Sequence, residues 1–217
     1  KTGTSIRRRG EEIELNGLAL PKGTRINPAA IGFWSGLGIT KVKVIRNPKV
    51  GLIVSGNELI QPGEALEKGK IYESNSKTLQ ALLGEMGILS DLYYIKDDYH
   101  STVSQIDNAL EQNDLVIVTG GISVGDYDFV KKALEELKVE EVFYKVKQKP
   151  GKPIYYGKRI DKRIFALPGN PAAVFSCFQV YVRTLIGFMK GEEWPYLIKT
   201  KAKLTHDHFK KGGRAHV

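Results

Sequence analysis

The central part of the chain alternates between short continuous apolar runs and longer amphipathic stretches. Apolar runs such as 50–54 and 114–118 are typical of parallel strands that are buried on both faces. The stretch 75–86 instead spaces Leu79 and Leu83 four residues apart, which places them on one face of a helix. The pattern therefore predicts strands that alternate with helices.

The rest of the central region continues this alternation. Asn170 is a good helix N-cap, Pro171 suits the first helical position and Gly191 lies past the end, so the longest helix is expected over 171–190. Repeated strand–helix units predict right-handed crossovers and an α/β fold of three layers, a parallel sheet with helices on both faces. The predicted strands are 50–54, 90–95, 114–118, 141–146, 154–156 and 163–166, and the predicted helices are 75–86, 102–111, 129–137 and 171–190.

The two ends of the chain differ from this centre. Residues 1–45 contain short apolar runs separated by Gly and Pro, which predict small strands and turns with a short helix near 28–38. After Glu193 the composition becomes strand-like and basic. We therefore expect 1–45 to belong to an N-terminal or linker domain, 46–190 to form the α/β domain, and 191–217 to begin a C-terminal β domain. The chain opens at Lys1 without an initiator Met, and we interpret it as a fragment.

The net charge of +9 first indicates a polyanionic partner, but its distribution argues against one. Residues 1–25 carry +3 and residues 199–217 carry +5, whereas residues 26–198 carry only +1. With 41% hydrophobic residues, the 217-residue chain can bury a substantial core, which excludes a disordered protein. We expect no nucleic-acid partner.

Cys177 is the single cysteine of the chain, so neither an intramolecular disulfide nor a multi-cysteine zinc site is possible. This usage is typical of reducing cytoplasm. The longest apolar stretch, 172–189, is interrupted by Gln179 and Arg183, and we expect no membrane span there.

Polar residues follow the predicted strands at the point where each strand ends. In an open parallel sheet, ligands bind outside the carboxyl ends of the strands. Glycines, hydroxyls, carboxylates and lysines are therefore expected to gather at one edge, where they suit an anionic ligand with a metal. The candidates are Ser55, Gly56, Glu58, Asp97, Gly120, Gly121, Ser123, Asp126, Asp128, Lys145, Lys149, Lys152 and Asn170.

Gly120 and Gly121 open the loop that leads into the helix at 129–137. Glycines permit positive φ and close backbone approach, and a helix N-terminus attracts phosphate. Asp126 and Asp128 would repel a phosphate unless a divalent cation joined them, so the loop indicates Mg²⁺. A tight structural turn, with either Asp capping the helix, is the alternative.

The segment 145–163 has eight basic residues and one acidic residue. Pro150 and Pro153 stiffen it, which favours a defined placement of Lys149 and Lys152 beside the sheet edge. Lysine is a compact charge that suits phosphate or another oxyanion. A solvated charged loop is the alternative, just as Glu58 and Asp97 can be ordinary turn residues.

Five motifs occur in the order and spacing of a known family. The chain resembles the molybdopterin molybdenumtransferases, the MoeA and gephyrin E-domain family, and 6–32 resembles the stretch that precedes their molybdopterin-binding domain. The motifs are Ser-Gly-Asn-Glu-Leu at 55–59, Gly-Lys-Ile-Tyr-Glu-Ser-Asn at 69–75, Gly-Gly-Ile-Ser-Val-Gly-Asp-Tyr-Asp-Phe-Val at 120–130, Lys-Pro-Gly-Lys-Pro at 149–153 and Leu-Pro-Gly-Asn-Pro at 167–171.

The resemblance implies an enzyme that takes adenylylated molybdopterin and molybdate, hydrolyses the adenylate and inserts molybdenum with the help of Mg²⁺. It also implies a homodimer and, as a partner, the molybdopterin adenylyltransferase. The implied catalytic residues are Glu58, Asp97, Asp128, Lys145 and Lys149, and the implied metal ligands are Glu58, Asp126 and Asp128. The implied residues for binding the substrates are Ser55, Gly56, Asn75, Gly120, Gly121, Ser123, Lys149, Lys152, Pro153 and Asn170.

This chain departs from the family pattern at two positions. Asn57 stands where the first motif usually has Asp, and Ala173 stands where Ser is common after the Asn-Pro turn. Adenylylation of molybdopterin by ATP is an alternative activity, although its subfamily carries Gly-Gly-Thr-Gly and Arg-Asp in the third loop. A non-catalytic binding module, as in gephyrin, is another.

Overall fold

A six-stranded sheet forms the centre of the protein. The computed structural model describes residues 3, 6–95, 98–122 and 129–207. The sheet has the strand order β4-β1-β5-β8-β7-β6, and β2 pairs with β3 in a separate two-stranded sheet. The strands are β1 (Val50–Ser55), β2 (Leu59–Ile60), β3 (Ile71–Tyr72), β4 (Ser90–Ile95), β5 (Leu115–Thr119), β6 (Glu140–Tyr144), β7 (Tyr155–Arg159) and β8 (Lys162–Leu167).

The sheet is mixed rather than wholly parallel, which corrects the sequence prediction. β4, β1, β5 and β8 pair in parallel, but β7 is antiparallel to both β8 and β6. Only Ile160 and Asp161 separate β7 from β8, and Ile160 has a φ of 56°. A two-residue loop can join only antiparallel strands, because a parallel crossover needs a dozen or more residues.

Helices cover both faces of the sheet. Leu115 and Ile117 face a core with α2 and the last helix, whereas Val116 and Val118 face a second core with α3 and α4. This alternation from one strand confirms the predicted three-layer α/β fold. The helices are α1 (Pro28–Gly36), α2 (Asn75–Glu85), α3 (Tyr99–Gln112), α4 (Phe129–Glu136), α5 (Pro171–Cys177) and α6 (Arg183–Met189), with a π-helical turn (Phe178–Val182) between α5 and α6.

The run Pro171–Met189 is long and apolar enough to cross a membrane by composition, with a mean hydropathy of 1.5. Val174, Phe178, Val182 and Ile186 are fully buried against the sheet, whereas Phe175, Val180 and Phe188 on the other side are about half exposed. A core helix passes the same test of length and hydropathy. The run is therefore a core helix of this domain.

The flanks contain turns and one helix rather than the predicted small strands. Neither 6–49 nor the described part of the C-terminal flank, 191–207, holds a strand, while α1 confirms the predicted helix near 28–38. Ile6 and Leu18 are 74% and 78% exposed, so their short apolar runs lie against no sheet edge. A strand needs a neighbouring strand to receive its backbone hydrogen bonds, and these segments have none among the described residues.

The topology brings most of the predicted site to one edge of the sheet. β1, β4, β5 and β8 all end there, and so does β6, because β6 and β8 are both antiparallel to β7. The loops after these strands therefore meet at this edge, which we name the carboxyl edge. The opposite side, where β1, β5 and β8 begin, is the amino edge.

Candidate functional site

The turn after β1 is held from two sides. Ser55 is buried as the last residue of β1, and Lys70 Nζ donates a hydrogen bond of 2.7 Å to the Asn57 carbonyl. A Cβ atom at Gly56 would lie 2.9 Å from Oε2 of Glu58, so the Glu58 carboxylate lies directly over this glycine. The sheet β2–β3, which begins beside this turn, thus supports the position of Glu58 at the carboxyl edge.

The loop after β5 lies against the end of β1. Gly120 has a φ of 83°, and a Cβ atom there would be 2.5 Å from the Ser55 carbonyl oxygen. Gly121 has a φ of 64°, and its Cβ atom would be 2.7 Å from Cγ2 of Val130. Both positions require glycine because the backbone is left-handed and has no room for a side chain. The predicted positive φ and close approach are confirmed, and no described contact tests the ligand role.

The start of the last helix meets the same loop. Asn75 Nδ2 donates to the Gly169 carbonyl at 2.9 Å, and a Cβ atom at Gly169 would lie 3.9 Å from Cα of Gly120. Asn75 Oδ1 is buried and has no hydrogen-bond partner among the described residues. Asn170 Oδ1 accepts from the Ala172 backbone N–H at 2.9 Å, which confirms the N-cap. Three predicted binding residues, Asn75, Gly120 and Asn170, are therefore close together.

The turn 145–154 crosses the carboxyl edge between β6 and β7. Lys145 has a φ of 62° and its backbone N–H donates to the Ile154 carbonyl at 3.0 Å, while the Val146 N–H donates to the Lys152 carbonyl at 2.9 Å. The Lys149–Pro150 peptide bond is cis. Lys145, Lys149 and Lys152 are exposed, and Nζ of Lys145 lies 4.6 Å from the centroid of the Tyr144 ring. The backbone therefore closes a loop whose ammonium groups face solvent.

The basic run 145–163 divides between the two edges of the sheet. Only part of it can therefore belong to the anion site that the sequence predicts at the carboxyl edge. Lys158 forms an ion pair of 3.0 Å with Glu140, and Arg159 forms one of 2.7 Å with Asp107. Two further basic residues lie at the start of β8 on the amino edge. Four remain at the carboxyl edge, and none of them pairs with a carboxylate in the described part of the chain: Lys145, Lys147, Lys149 and Lys152.

A cleft of about 300 Å³ opens at the carboxyl edge beside the ends of β1 and β4. Its volume is at the lower end of the range for small-molecule sites. Backbone, amide and carboxyl groups line it together with apolar side chains, so it can receive a ligand with both ring and polar atoms. The lining residues are Val54, Gly56, Asn57, Leu59, Gln61, Glu73, Tyr94 and Ile95.

A second cleft, of about 330 Å³, lies at the amino edge and includes Arg46 and Asp114. Arg46 donates two hydrogen bonds of 2.5 and 2.9 Å to Asp114, which also accepts the Lys49 backbone N–H at 2.8 Å. These contacts lower the pKa of Asp114 to about 2, chiefly through the hydrogen bond from Arg46. Because the two charges neutralise each other, we favour the carboxyl edge as the ligand site.

Several predicted site residues cannot be placed. Asp97, Ser123, Asp126 and Asp128 lie outside the described residues. Within the described ranges, no three His, Cys, Asp or Glu side chains form a group that could hold a metal ion. Glu58 is the only described member of the predicted metal set, so the magnesium site stays a prediction.

Sequence reasoning missed Lys70 and Glu73, which hold the turn after β1 and the start of α2 in place. Glu73 is 1% exposed, and its carboxylate accepts from the backbone N–H of Ser76 at 2.7 Å and from the Ser76 hydroxyl. It thereby satisfies free N–H groups at the start of α2, which carries Asn75. Both residues stand in the motif 69–75, and an acidic residue just before Ser-Asn at a helix start was an available signal.

Comparison with known proteins agrees with this geometry. The family model described as a probable molybdopterin binding domain matches residues 51–187. The molybdopterin molybdenumtransferase of Staphylococcus aureus (strain Mu50) is 37% identical over 198 residues, which cover 90% of this chain and 47% of that protein. The enzyme of that name from Staphylococcus epidermidis is 36% identical over 204 residues, or 94% of this chain and 49% of that protein.

A solved structure shows the same relationship. The molybdopterin biosynthesis MoeA protein from Pyrococcus horikoshii superposes with a TM-score of 0.72 at 34% identity, over 85% of this chain and 46% of that chain. The present chain thus spans about half the length of the relatives that it matches. The chain belongs to the molybdopterin-binding domain family and, within that family, groups with the molybdopterin molybdenumtransferases.

Proposed function

We propose that the chain forms the central domain of an enzyme that inserts molybdenum into adenylylated molybdopterin and releases AMP. One observation carries the proposal: exposed lysines without described carboxylate partners lie at the same carboxyl edge of the sheet as a loop built on glycines. Positive charge next to accessible backbone suits a ligand set of phosphate and a second oxyanion. The relatives named molybdopterin molybdenumtransferase support this assignment.

Lys149 and Lys152 are proposed to hold molybdate. Both side chains are exposed on one closed turn, and Pro153 limits the backbone where the turn enters β7. Two ammonium groups can neutralise the two negative charges of molybdate. They also let it dissociate, because a lysine ammonium is a hydrated point charge and does not hold an anion in the fixed geometry of an arginine guanidinium. Lys145 adds charge from the start of the turn.

The adenylate is proposed to lie along Gly56, Gly120 and Gly121. Glycine lets the backbone at these positions pack closely against Glu58, Ser55 and Val130, and this packing fixes the loop backbone that is proposed to bind the phosphate. Hydrolysis adds one water across the phosphoanhydride bond, so AMP leaves and the terminal phosphate of molybdopterin remains on the pterin side. Lysine charge next to the breaking bond stabilises the negative charge that the leaving phosphate gains.

Mg²⁺ dependence is part of the proposal. Glu58 fits such an ion, since its exposed carboxylate is a hard oxygen donor beside Gly56 at the carboxyl edge. Asp97, Asp126 and Asp128 are the other acidic candidates. Bound there, Mg²⁺ would neutralise phosphate charge during hydrolysis. Chelation is expected to stop AMP release and added Mg²⁺ to restore it, whereas AMP release that persists in chelated protein would contradict a metal requirement.

A homodimer in the cytoplasm, supplied with substrate by the molybdopterin adenylyltransferase, completes the proposal. The family resemblance supports these points. Sedimentation of the purified protein, alone and mixed with the adenylyltransferase, measures both associations.

The direct test compares Lys149→Ala with Lys41→Ala in the longest natural polypeptide that contains this sequence. Lys41 is exposed in the N-terminal flank, so its removal changes the net charge equally. With adenylylated molybdopterin, molybdate and Mg²⁺, we expect Lys149→Ala to lose about 100-fold in AMP release and Lys41→Ala to retain it. If Lys149→Ala forms the cofactor normally, a non-catalytic binding module is the better assignment.

The choice of substrates distinguishes molybdenum insertion from the remaining alternative, adenylylation of molybdopterin by ATP. Release of AMP from adenylylated molybdopterin in the presence of molybdate supports molybdenum insertion. Formation of the adenylate from ATP and free molybdopterin would instead assign the adenylyltransferase reaction to this domain.

A further inference from the structure

The turn that carries Lys149 and Lys152 is attached to the last helix chiefly through the side chain of Gln148, and the Cys177 thiol also donates to the Gly151 carbonyl at 3.9 Å. Gln148 Nε2 donates to the Gly151 carbonyl at 3.3 Å and to Cys177 Sγ at 3.4 Å. Its Oε1 accepts a hydrogen bond of 2.6 Å from the Tyr181 hydroxyl. We name Gln148, Gly151, Cys177 and Tyr181 the Gln148 clamp. It joins the middle of the turn 145–154, hereafter the lysine turn, to a helix that starts 20 or more residues further along the chain.

The clamp is tightly packed. Gly151 is buried with a φ of 99°, and a Cβ atom there would be 2.5 Å from Cys177 Sγ and 2.6 Å from Gln148 Nε2. Cys177 is fully buried, and burial raises the pKa of its thiol to about 11. Burial also raises the pKa of Tyr181, so its hydroxyl keeps the proton that it donates to Gln148. The polar groups of the clamp therefore remain neutral and paired at physiological pH.

Tyr181 lies within the π-helical turn Phe178–Val182. The Arg183 backbone N–H bonds to the Phe178 carbonyl, five residues earlier, which inserts one residue into the helical repeat. Such turns are rare and occur frequently at functional sites. Cys177 directly precedes this widened turn and Tyr181 lies within it, and the polar atoms of both side chains meet Gln148.

We propose that Gln148 and Tyr181 are positioning residues, which hold the lysine turn in the conformation that binds the oxyanion. This inference rests on the proposed function, since it presumes that Lys149 and Lys152 bind molybdate. The ammonium groups of Lys149 and Lys152 are on flexible, solvent-exposed side chains. Whether both can reach the same oxyanion therefore depends on the backbone conformation of the turn. Ordering of that backbone before binding raises affinity, because the ligand then does not have to order it.

The Tyr181 ring has a separate packing role that a conservative variant preserves. Its centroid lies 5.8 Å from that of Phe143, and Phe143 in turn lies 5.6 Å from Tyr156. Tyr181→Phe keeps this aromatic packing and removes only the hydrogen bond to Gln148. Tyr93→Phe is a matched control, because the Tyr93 hydroxyl bonds Gln112 and Asn113 at 3.1 Å, near the amino end of β1.

The experiment measures the molybdate concentration that half-saturates AMP release in the longest natural polypeptide containing this sequence. Each variant is also melted to compare thermal stability. Because a neutral hydrogen bond changes an equilibrium by about threefold to tenfold, we expect Tyr181→Phe to raise the half-saturating molybdate concentration about fivefold. Gln148→Met, which removes both ends of the clamp, is expected to raise it about tenfold. The maximal rate stays close to that of the parent protein.

Two comparisons make the result decisive. The double variant Gln148→Met/Tyr181→Phe is expected to match Gln148→Met alone, since both changes break one network. Tyr93→Phe is expected to lower the melting temperature to a similar extent without a change in molybdate dependence. If Tyr181→Phe and Tyr93→Phe differ from the parent only in stability, the positioning role is overturned.

Lys149→Ala separates this inference from the proposed function. When Lys149→Ala weakens molybdate dependence but both clamp variants leave it unchanged, only the clamp is wrong. When Lys149→Ala also leaves it unchanged, the oxyanion role of the turn fails and the clamp fails with it.

Discussion

The two halves of the carboxyl edge are built in different ways. On the parallel half, Gly120 touches the Ser55 carbonyl, so backbone meets backbone and no side chain intervenes. On the antiparallel half, the lysine turn is fixed to its helix by the side chains of Gln148, Cys177 and Tyr181. A substitution that disturbs a contact between two backbone segments displaces the whole loop. Substitutions in the clamp can instead remove one side-chain hydrogen bond at a time. We therefore expect changes in the first half to disrupt the site and changes in the second half to alter how tightly it binds its ligand.

The pairing of the strands explains this difference. The parallel register continues without interruption to Ser55 and Thr119 at the ends of β1 and β5, so the ladder itself positions their loops. The β6–β7 register shifts between Glu141 and Phe143, two residues before the lysine turn begins. Because the pairing of β6 with β7 is irregular, it fixes the position of the following turn less strictly, and contacts from other elements are needed to fix that turn.

Gly120→Ala is expected to have the largest effect, because it breaks the backbone contact of the parallel half. Alanine is disfavoured in the left-handed backbone conformation of Gly120, and its Cβ atom would clash with the Ser55 carbonyl, which the strand β1 holds in place. We expect the two effects together to lower the unfolding free energy by about 3 kcal/mol. AMP release is expected to fall about 100-fold, since the displaced loop misaligns its ligand. Denaturant unfolding and the AMP assay measure the two effects.

Gly63→Ala is the control for that change. Gly63 also has a positive φ, 100°, but nothing lies within 4 Å of its Cβ position. It is expected to lose about 1 kcal/mol and no activity. Equal losses for both variants would show that the left-handed backbone alone, rather than the Ser55 contact, makes Gly120 necessary.

Gly151→Ala disturbs the antiparallel half and is expected to cost less. Its Cβ atom would meet the side chains of Cys177 and Gln148, which can move, so we expect a loss of about 1.5 kcal/mol in unfolding free energy. Molybdate dependence is expected to weaken more than with Tyr181→Phe, while the maximal rate falls little. A fall in maximal rate as large as that of Gly120→Ala would remove the distinction between the halves.

Asp114→Asn tests the amino edge and is expected to have the smallest effect. The pKa of Asp114 in the folded protein, about 2, is below its ordinary value of 3.8, so its contribution is complete above pH 4 and disappears as the pH falls toward 2. We expect the variant to lose about 1 kcal/mol at pH 7, since solvent screens the exposed Arg46. The stability difference narrows as the pH falls from 4 to 2 and closes below pH 2, and molybdate dependence is unchanged. Altered molybdate dependence would place ligand chemistry at the amino edge.

Much of the fold follows from local sequence patterns. The apolar runs of β1 and β5 and the Asn170-Pro171 helix start are local features, and the structure has all three. The β7–β8 hairpin was missed because Ile160 and Asp161 are not a typical two-residue turn pair. The strands expected in the flanks do not form in the described parts 6–49 and 191–207, because a short apolar run does not show whether a neighbouring strand exists to pair with it.

The candidate site was predictable where its residues follow strands. Glu58, Gly120 and Lys149 each come shortly after a strand end, and topology alone brings them to one edge. Gln148 and Tyr181 are 33 residues apart and meet only through tertiary packing, so no local pattern indicates their contact. The division of the basic run between two edges was equally hidden, because it depends on the direction of β7.

A crystal soaked with molybdate, measured at the molybdenum absorption edge, tests the central claim most directly. The account predicts one anomalous peak at the carboxyl edge, from a molybdate whose oxygens lie about 2.8 Å from the ammonium groups of Lys149 and Lys152. The same soak of Lys149→Ala crystals is expected to lose that peak. A peak in the amino-edge cleft beside Arg46 and Arg163, with none at the lysine turn, would contradict the account.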